Sequence, residues 1–432
     1  MKKNKKQNRV FLTLDIGTSA VKCALIDDGY TILFKNQREF PMIERENNVE
    51  VDFELFYAIA LDLIQECLSA LSSKDISVEA LLISSQAQTF TAVDSSFSPL
   101  CNGIVWLDER AEKQADSLFV QLSEFSKSSG FYRPLSVQYI AKLLWLKENE
   151  SNIYKKAKAF PLINEYLVYK LTGKFYSDKT SFAMGGMYDF RTGEINRTLL
   201  TILGLSERYF PTIDDAAKRF ELISPDIRRK WEVNSRFPVV LCGNDQGASA
   251  CGAGLHKTGD VNINFGTAMV IYTITDKLIV DLTVSQISGK HPVGNNFFLL
   301  NVESNFGLQI RRLKNKYFAQ ETYDELFKTY LRYTDAEPVI VGEQDLPDIH
   351  SAEEIGAFCS GVIKNYLNKL IAHLQQIKTA AQIDKLSLSG GMTNSTVWLN
   401  IMEKTLPISF TVNNNEDAGL IGVVQIYLSN QK

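Results

Sequence analysis

The sequence is poor in the residues that build metal centres and disulfide frameworks. It has only 4 histidines in 432 residues, and its 6 cysteines (Cys23, Cys67, Cys101, Cys242, Cys251 and Cys359) are scattered singly, with no C-x-x-C pair. That leaves no zinc-ligand spacing and no disulfide scaffold. It implies buried thiols in a reducing, cytoplasmic setting. Positive charge is also short: the formal net charge is -4. A nucleic-acid partner would need a clustered positive surface, so none is expected. An anionic cofactor must then be held by local dipoles and metal rather than by a global field. No stretch approaches the roughly 20 apolar residues of a membrane span. The basic start, MKKNKKQNR, leads into an apolar run that meets Asp15 almost at once. That run is too short for a secretory signal, and the start reads as a solubilising tail.

What remains is an ordinary globular composition, 45% hydrophobic and 22% charged, on a chain long enough for two or three domains and a large core. Residues 10–15 (VFLTLD) read as a buried strand, IGTSA as a tight turn, VKCALID as a second strand and 30–38 as a third. Phe53, Phe56, Ile59, Ala60, Leu63, Ile64 and Cys67 recur at helical spacing and predict a helix over 53–72. A short strand follows at 80–84. Residues 105–210 read as mostly helical, with one helix around AKLLWLKENE and another around NEYLVYKLTG that Gly173 ends. From residue 238 the opening pattern returns. PVVLCG reads as a strand and NDQGASACGAGL as a helix. DVNINFG, Thr267 and AMVIYTI form a second strand–Gly-Thr–strand hairpin. A long helix is expected over 355–380. Then come LSLSGG as a strand, NSTVWLNIMEKTL as a helix, ISFTV as a strand and EDAGLIGVVQIYL as the last helix. Two halves, each with such a hairpin, suggest a duplicated α/β fold.

Five motifs carry candidate chemistry. Asp15, Gly17, Thr18, Ser19 and Lys22 form a turn that presents N–H groups and hydroxyls to one point, as phosphate binding requires. Asp15 at the strand end suits Mg²⁺. Asn264, Gly266 and Thr267 repeat that geometry, so two loops could close on one nucleotide. Gly390 and Gly391 allow a flat ring or ribose near the backbone, at a strand–helix turn with Asn394 and Ser395. Asp245, just after a strand and followed by Gln246, is a candidate base for a hydroxyl. Gln86, Ala87 and Gln88, with Asp108 and Arg110 further on, suit a polyhydroxylated ligand. Structural readings stand beside these. The first turn also fits a plain hairpin with a surface lysine. Asn394 or Ser395 also fits as an N-cap, and so does Asp245.

Together the motifs resemble the FGGY family of carbohydrate kinases. The resemblance rests on D-x-G-T-x-x-x-K at 15–22, G-x-D-Q at 243–246, N-x-G-T at 264–267 and S-G-G-x-x-x-S at 389–395. KLLWLKEN, EYLVYKLTG and YDFRTGEIN lie between them, and the likeness runs from about residue 10 to 428. It implies two ribonuclease-H-like (actin-like ATPase) domains flanking a catalytic cleft, divided as 1–237 and 238–432. It implies ATP and Mg²⁺, with Asp245 as base and Asp15 on the metal. Gly17, Thr18, Ser19, Lys22, Gly266 and Thr267 would take the phosphates. Gly307, Arg311, Gly390, Gly391 and Ser395 would take the rest of the nucleotide. Gln86, Ala87, Gln88, Asp108, Arg110, Asp245 and Gln246 would face the sugar, and a homodimer is compatible with it.

The chain also departs from the family pattern. Glycerol kinases carry Arg-Glu where this chain has Ala87 and Gln88, and a tyrosine where it has Val137. Xylulokinases carry Met-His at 87–88. Ser-x-Gln followed by Trp-x-Asp-x-Arg is nearer the xylulose and gluconate branches. The region VIVGEQDLPDIHSAEEIGAF lacks the family's Gly-Glu-Arg run, which points to a shortened second domain. The reading is therefore ATP-dependent phosphorylation of a small sugar, ketose, polyol or aldonate. The alternative is a catalytically silent sugar-binding homologue.

Overall fold

The computed structural model describes residues 9–46, 48–71, 77–233, 236–342, 346–413 and 415–431. The basic tail over 1–8 and residues 343–345 of the shortened region lie outside them. Two six-stranded sheets organise the chain. The first runs Phe220–Leu222, Pro238–Asn244, Val78–Ser85, Val10–Ile16, Ala20–Asp27, Ile32–Glu39. The second runs Gln286–Lys290, Phe297–Glu303, Met269–Thr275, Asp260–Phe265, Lys385–Ser389, Thr411–Val412.

Five strands of each sheet share one topology. Three strands pair antiparallel, consecutive in the first sheet and with Gln286–Lys290 intervening in sequence before the third in the second sheet, and two later strands then add in parallel beside the first. The duplication suggested by the two hairpins is thus a duplication of sheet order. It also makes corresponding loops comparable. The Gly17-Thr18 turn matches the Gly266-Thr267 turn, each closed by a glycine N–H, to Ala20 O at 2.9 Å and to Ala268 O at 3.1 Å. The segment after the fourth strand is Gln86–Gln88 in one sheet and Gly390-Gly391 in the other. The segment after the fifth begins at Asp245 in one and Asn413 in the other.

Side chains alternate between the faces of the first sheet, as a strand's period of two requires. Leu12, Leu14 and Ile16 enter one core with Phe56, Leu63 and Ile64 of the helix Phe53–Ser69. Full burial of each such side chain is worth about 2 kcal/mol. Phe11 enters the opposite core with Leu82, Val240, Val423 and Val424. The last two belong to the helix Ala418–Asn430, which returns from the far end of the chain to cover the first sheet.

The division expected at 237/238 falls just before a strand of the first sheet. Pro238–Asn244 pairs in parallel with Val78–Ser85, so a cut before it would run through a continuous sheet. Local hydrophobic pattern does not reveal that partner, which lies more than a hundred residues back. Three further differences appear. A hairpin Met42–Arg45/Asn48–Val51 follows the first meander, and Gln286–Lys290 with Phe297–Glu303 extends the second sheet. The helices Phe306–Tyr317 and Tyr323–Arg332 fill a region for which the sequence suggested no element.

Candidate active site

Parallel pairing brings the ends of three strands in the first sheet together. Asp15 pairs with Ser84, Ile16 with Ser85, and Ser85 with Asn244. Asp15, Gln86 and Asp245 therefore emerge at one edge. Asp15 is partly buried; its Oδ1 accepts the Ser84 hydroxyl at 2.8 Å, and Lys22 faces it across the hairpin. Burial raises its pKa, while Ser84 and Lys22 oppose the rise. The Lys22 ammonium reaches forward to Glu416 O at 3.4 Å.

Asp245 opens the helix Asp245–Gly252, but Asn244 caps it: the Asn244 Oδ1 accepts the Gly247 N–H at 2.7 Å. The Asp245 carboxylate accepts its neighbour's N–H, from Gln246, at 2.8 Å. Burial first, then the like charge of Asp15, raises the Asp245 pKa to about 7. Two carboxylates at one sheet edge resist joint ionisation, which is how a base is tuned toward neutral pH.

Two cavities adjoin here, one lined from both sheets and one lined only by residues 265–395 on the side of the second sheet. One, of about 280 Å³, is lined by Asp15, Lys22, Gln246, Gly390, Gly391 and Glu416, among others. The other, of about 550 Å³, is lined by Gly266, Thr267, Gly307, Arg311, Gly391 and Ser395, among others. Gly391 and Asn394 line both. The second set gathers six of the residues that the resemblance implied for the nucleotide, from three separate segments. Close backbone approach explains one glycine of each cavity. Gly390 has φ +93°, and a Cβ there would lie 2.6 Å from Phe265 O. A Cβ at Gly307 would lie 2.1 Å from Gly266 O. Ser395 does cap a helix, its Oγ accepting the Trp398 N–H at 3.0 Å, and it also donates to Asp324.

The residues expected at the sugar divide into two groups. Gln88 is buried in the left-handed region at φ 69°, with its Oε1 lacking a hydrogen-bond partner. Gln86 is tied to the phosphate turn, its Nε2 donating to Gly17 O at 3.0 Å. Of the residues expected at the sugar only Gln246 lines either cavity, and Asp108 and Arg110 pair within the fold instead. Arg110 clasps Asp108 at 2.7 Å and Glu50 at 2.8 Å, and Asp108 also accepts the Val49 N–H at 2.6 Å. Their charges are spent on one another. Asn244, Ser84, Asn413 and Glu416 were not singled out from the sequence. Their contributions depend on which strands become neighbours.

Among the described residues no cluster of three or more His, Cys, Asp or Glu could cage a metal, and no helix is long and apolar enough to cross a membrane. Comparison with known proteins first defines the class. Ligand-bound xylulose kinase from Lactobacillus acidophilus matches with a TM-score of 0.87 at 19% identity, covering 97% of this chain and 89% of that one. The fold is that of the two-domain actin-like ATPases. Within that class, the model of the N-terminal domain of the FGGY family of carbohydrate kinases matches residues 10–252, and the chain belongs to that family. Xylulose kinase of Staphylococcus xylosus is 21% identical over 444 residues, covering 96% of this chain and 89% of the relative. Gluconokinase of Bacillus subtilis (strain 168) is 22% identical over 449 residues, covering 95% and 85%. The protein is a carbohydrate kinase, and such a kinase takes its phosphoryl group from ATP.

Proposed function

We propose that the protein transfers the γ-phosphoryl group of ATP to a hydroxyl of a xylulose-like pentulose or of gluconate, in the cytoplasm, with Asp245 as general base. The observation that carries this reading is the state of Asp245: relieved of capping by Asn244, and raised to about 7 by burial and by Asp15. A carboxylate so tuned accepts a proton from a sugar hydroxyl near neutral pH. Asp245 stays protonated longer while Asp15 is uncompensated, and any positive charge beside Asp15 favours its ionised form.

Mg²⁺ fits the donors present. It is commonly held by one or two carboxylates together with substrate phosphates and water, and Asp15 offers one carboxylate at the lip of the smaller cavity. When bound, Mg²⁺ neutralises charge between the phosphates. The chain's own groups do the rest. The turns at Gly17–Ser19 and Gly266-Thr267 offer N–H groups and hydroxyls to the phosphates, and Lys22 offers a cation. Gly307, Arg311, Gly391 and Ser395 border the space for the nucleoside. Gln88, with its unpaired buried amide oxygen, is the proposed sugar contact, since a sugar hydroxyl would satisfy that acceptor. We place the division between the two units after Gly252.

A coupled ADP-release assay across D-xylulose, L-xylulose, gluconate, ribitol and glycerol tests the substrate class. Turnover is expected with a pentulose or gluconate, and glycerol alone as substrate would refute it.

A further inference from the structure

We propose that Trp106 is a positioning residue that aims the Thr18 hydroxyl at a phosphate and couples the phosphate turn to the sugar-facing segment; this rests on the kinase reading of the cleft. The Trp106 Nε1–H donates to Thr18 Oγ1 at 3.0 Å. An indole nitrogen only donates. Thr18 must therefore accept at this contact, and its single hydroxyl proton is directed elsewhere. A phosphate oxygen, which only accepts, is the complementary partner. Without Trp106 the hydroxyl could rotate and donate to protein or solvent.

Trp106 is itself held in a closed ring of hydrogen bonds. Its backbone N–H donates to Thr89 Oγ1 at 3.1 Å, and that hydroxyl donates to Gln86 Oε1 at 3.0 Å. Gln86 Nε2 donates to Gly17 O at 3.0 Å, beside Thr18. Thr89 uses its hydroxyl once as acceptor and once as donor, so every bond in the ring has a fixed donor, with Trp106 donating at both of its own. Gln88 lies within the 86–89 stretch that closes the ring, and its unpaired Oε1 is the proposed sugar contact. A sugar that stiffens this stretch also stiffens Gly17 and Thr18. By reciprocity, nucleotide on the turn favours sugar.

The loop around Trp106 is pinned on both sides, which gives Asp108 and Arg110 a purpose away from the ligand. Before it, Val105 O accepts the buried Lys142 ammonium at 2.7 Å. After it, Asp108, Arg110 and Glu50 form their ion-pair cluster, and the Arg110 guanidinium lies 4.9 Å from the Trp145 ring centre.

Calorimetric titration with the magnesium complex of AMP-PNP tests the proposal on the whole protein, without turnover. Trp106→Phe keeps a ring and removes the donor. It is expected to weaken binding about three- to tenfold, the effect of one hydrogen bond. Thr18→Val should weaken it at least as much, Thr18→Ser should stay near wild type, and the Trp106→Phe/Thr18→Val pair should be no weaker than Thr18→Val alone. Unchanged affinity in folded Trp106→Phe, or fully additive losses in the pair, overturns the proposal while leaving the kinase reading intact. If Trp106→Phe does not fold, equal affinities of Thr18→Ser and Thr18→Val overturn it. A wild type that binds no nucleotide overturns both.

Discussion

Asn244 accepts the Gly247 N–H at 2.7 Å and so caps the helix whose first residue is Asp245. A one-residue shift in capping decides what Asp245 can do. Had its own carboxylate served as the cap, hydrogen bonds to the helix N–H groups would have pulled its pKa down. Instead, its carboxylate accepts the adjacent Gln246 N–H, and burial and Asp15 outweigh that contact and push the pKa up.

Stability should therefore depend on pH through Asp245. Its pKa rises from an ordinary carboxylate value to about 7 in the folded protein. The unfolded chain ionises first, so folding loses stability as pH climbs from about 4 to 7 and levels off above that. Asp245→Asn removes this penalty. Thermal denaturation should show Asp245→Asn more stable than wild type by a few degrees at pH 8, with the gap closing by pH 4. A gap that widens toward acid would contradict the assignment of the shift.

Removing the cap should loosen the base. Asn244→Ala is expected to cost about 1 kcal/mol and to lower kcat more than it raises KM for the sugar. Asn244→Ser, which can still cap, should recover most of both. Denaturant titration and steady-state kinetics on the two variants check this.

The helix that carries Asp245 crosses the last helix of the chain at two glycines. A Cβ at Gly252 would lie 1.9 Å from Ala418 O, and one at Gly422 would lie 1.8 Å from Ala248 O. Backbone cannot yield as a side-chain tip can. Gly422→Ala should destabilise by about 1–3 kcal/mol, as overpacking does, and should depress kcat by displacing Asp245. An unchanged melting temperature would mean that the two helices separate freely.

Both Gly-Thr hairpins were legible in the sequence because each is local. An apolar strand, a Gly-Thr turn and a second apolar strand specify their own register, and Asp15 pairs with Lys22 as the motif spacing demands. The helix Phe53–Ser69 was legible from its spacing, with its end three residues earlier than expected. What stayed hidden depends on contacts distant in the chain. The pairing of Pro238–Asn244 with Val78–Ser85, and the return of Ala418–Asn430 to the first sheet, leave no local period. Asp108 and Arg110 read as ligand contacts because amide and charged side chains suit a polyhydroxylated ligand. Their partners proved to be each other and Glu50. The bond from Trp106 to Thr18 spans 88 residues and could be seen only once both loops had been placed.

The central claim is that Asp245 serves as the base of a sugar kinase. The most direct measurement is ADP release by wild type and Asp245→Asn, each with D-xylulose and with gluconate, alongside calorimetric binding of the same sugars. If Asp245 is the base, this role predicts wild-type turnover with at least one of them. It also predicts a loss of about 10²–10⁴-fold or more in kcat for Asp245→Asn, with sugar affinity within a few-fold of wild type. An Asp245→Asn protein that turns over at near the wild-type rate would contradict it.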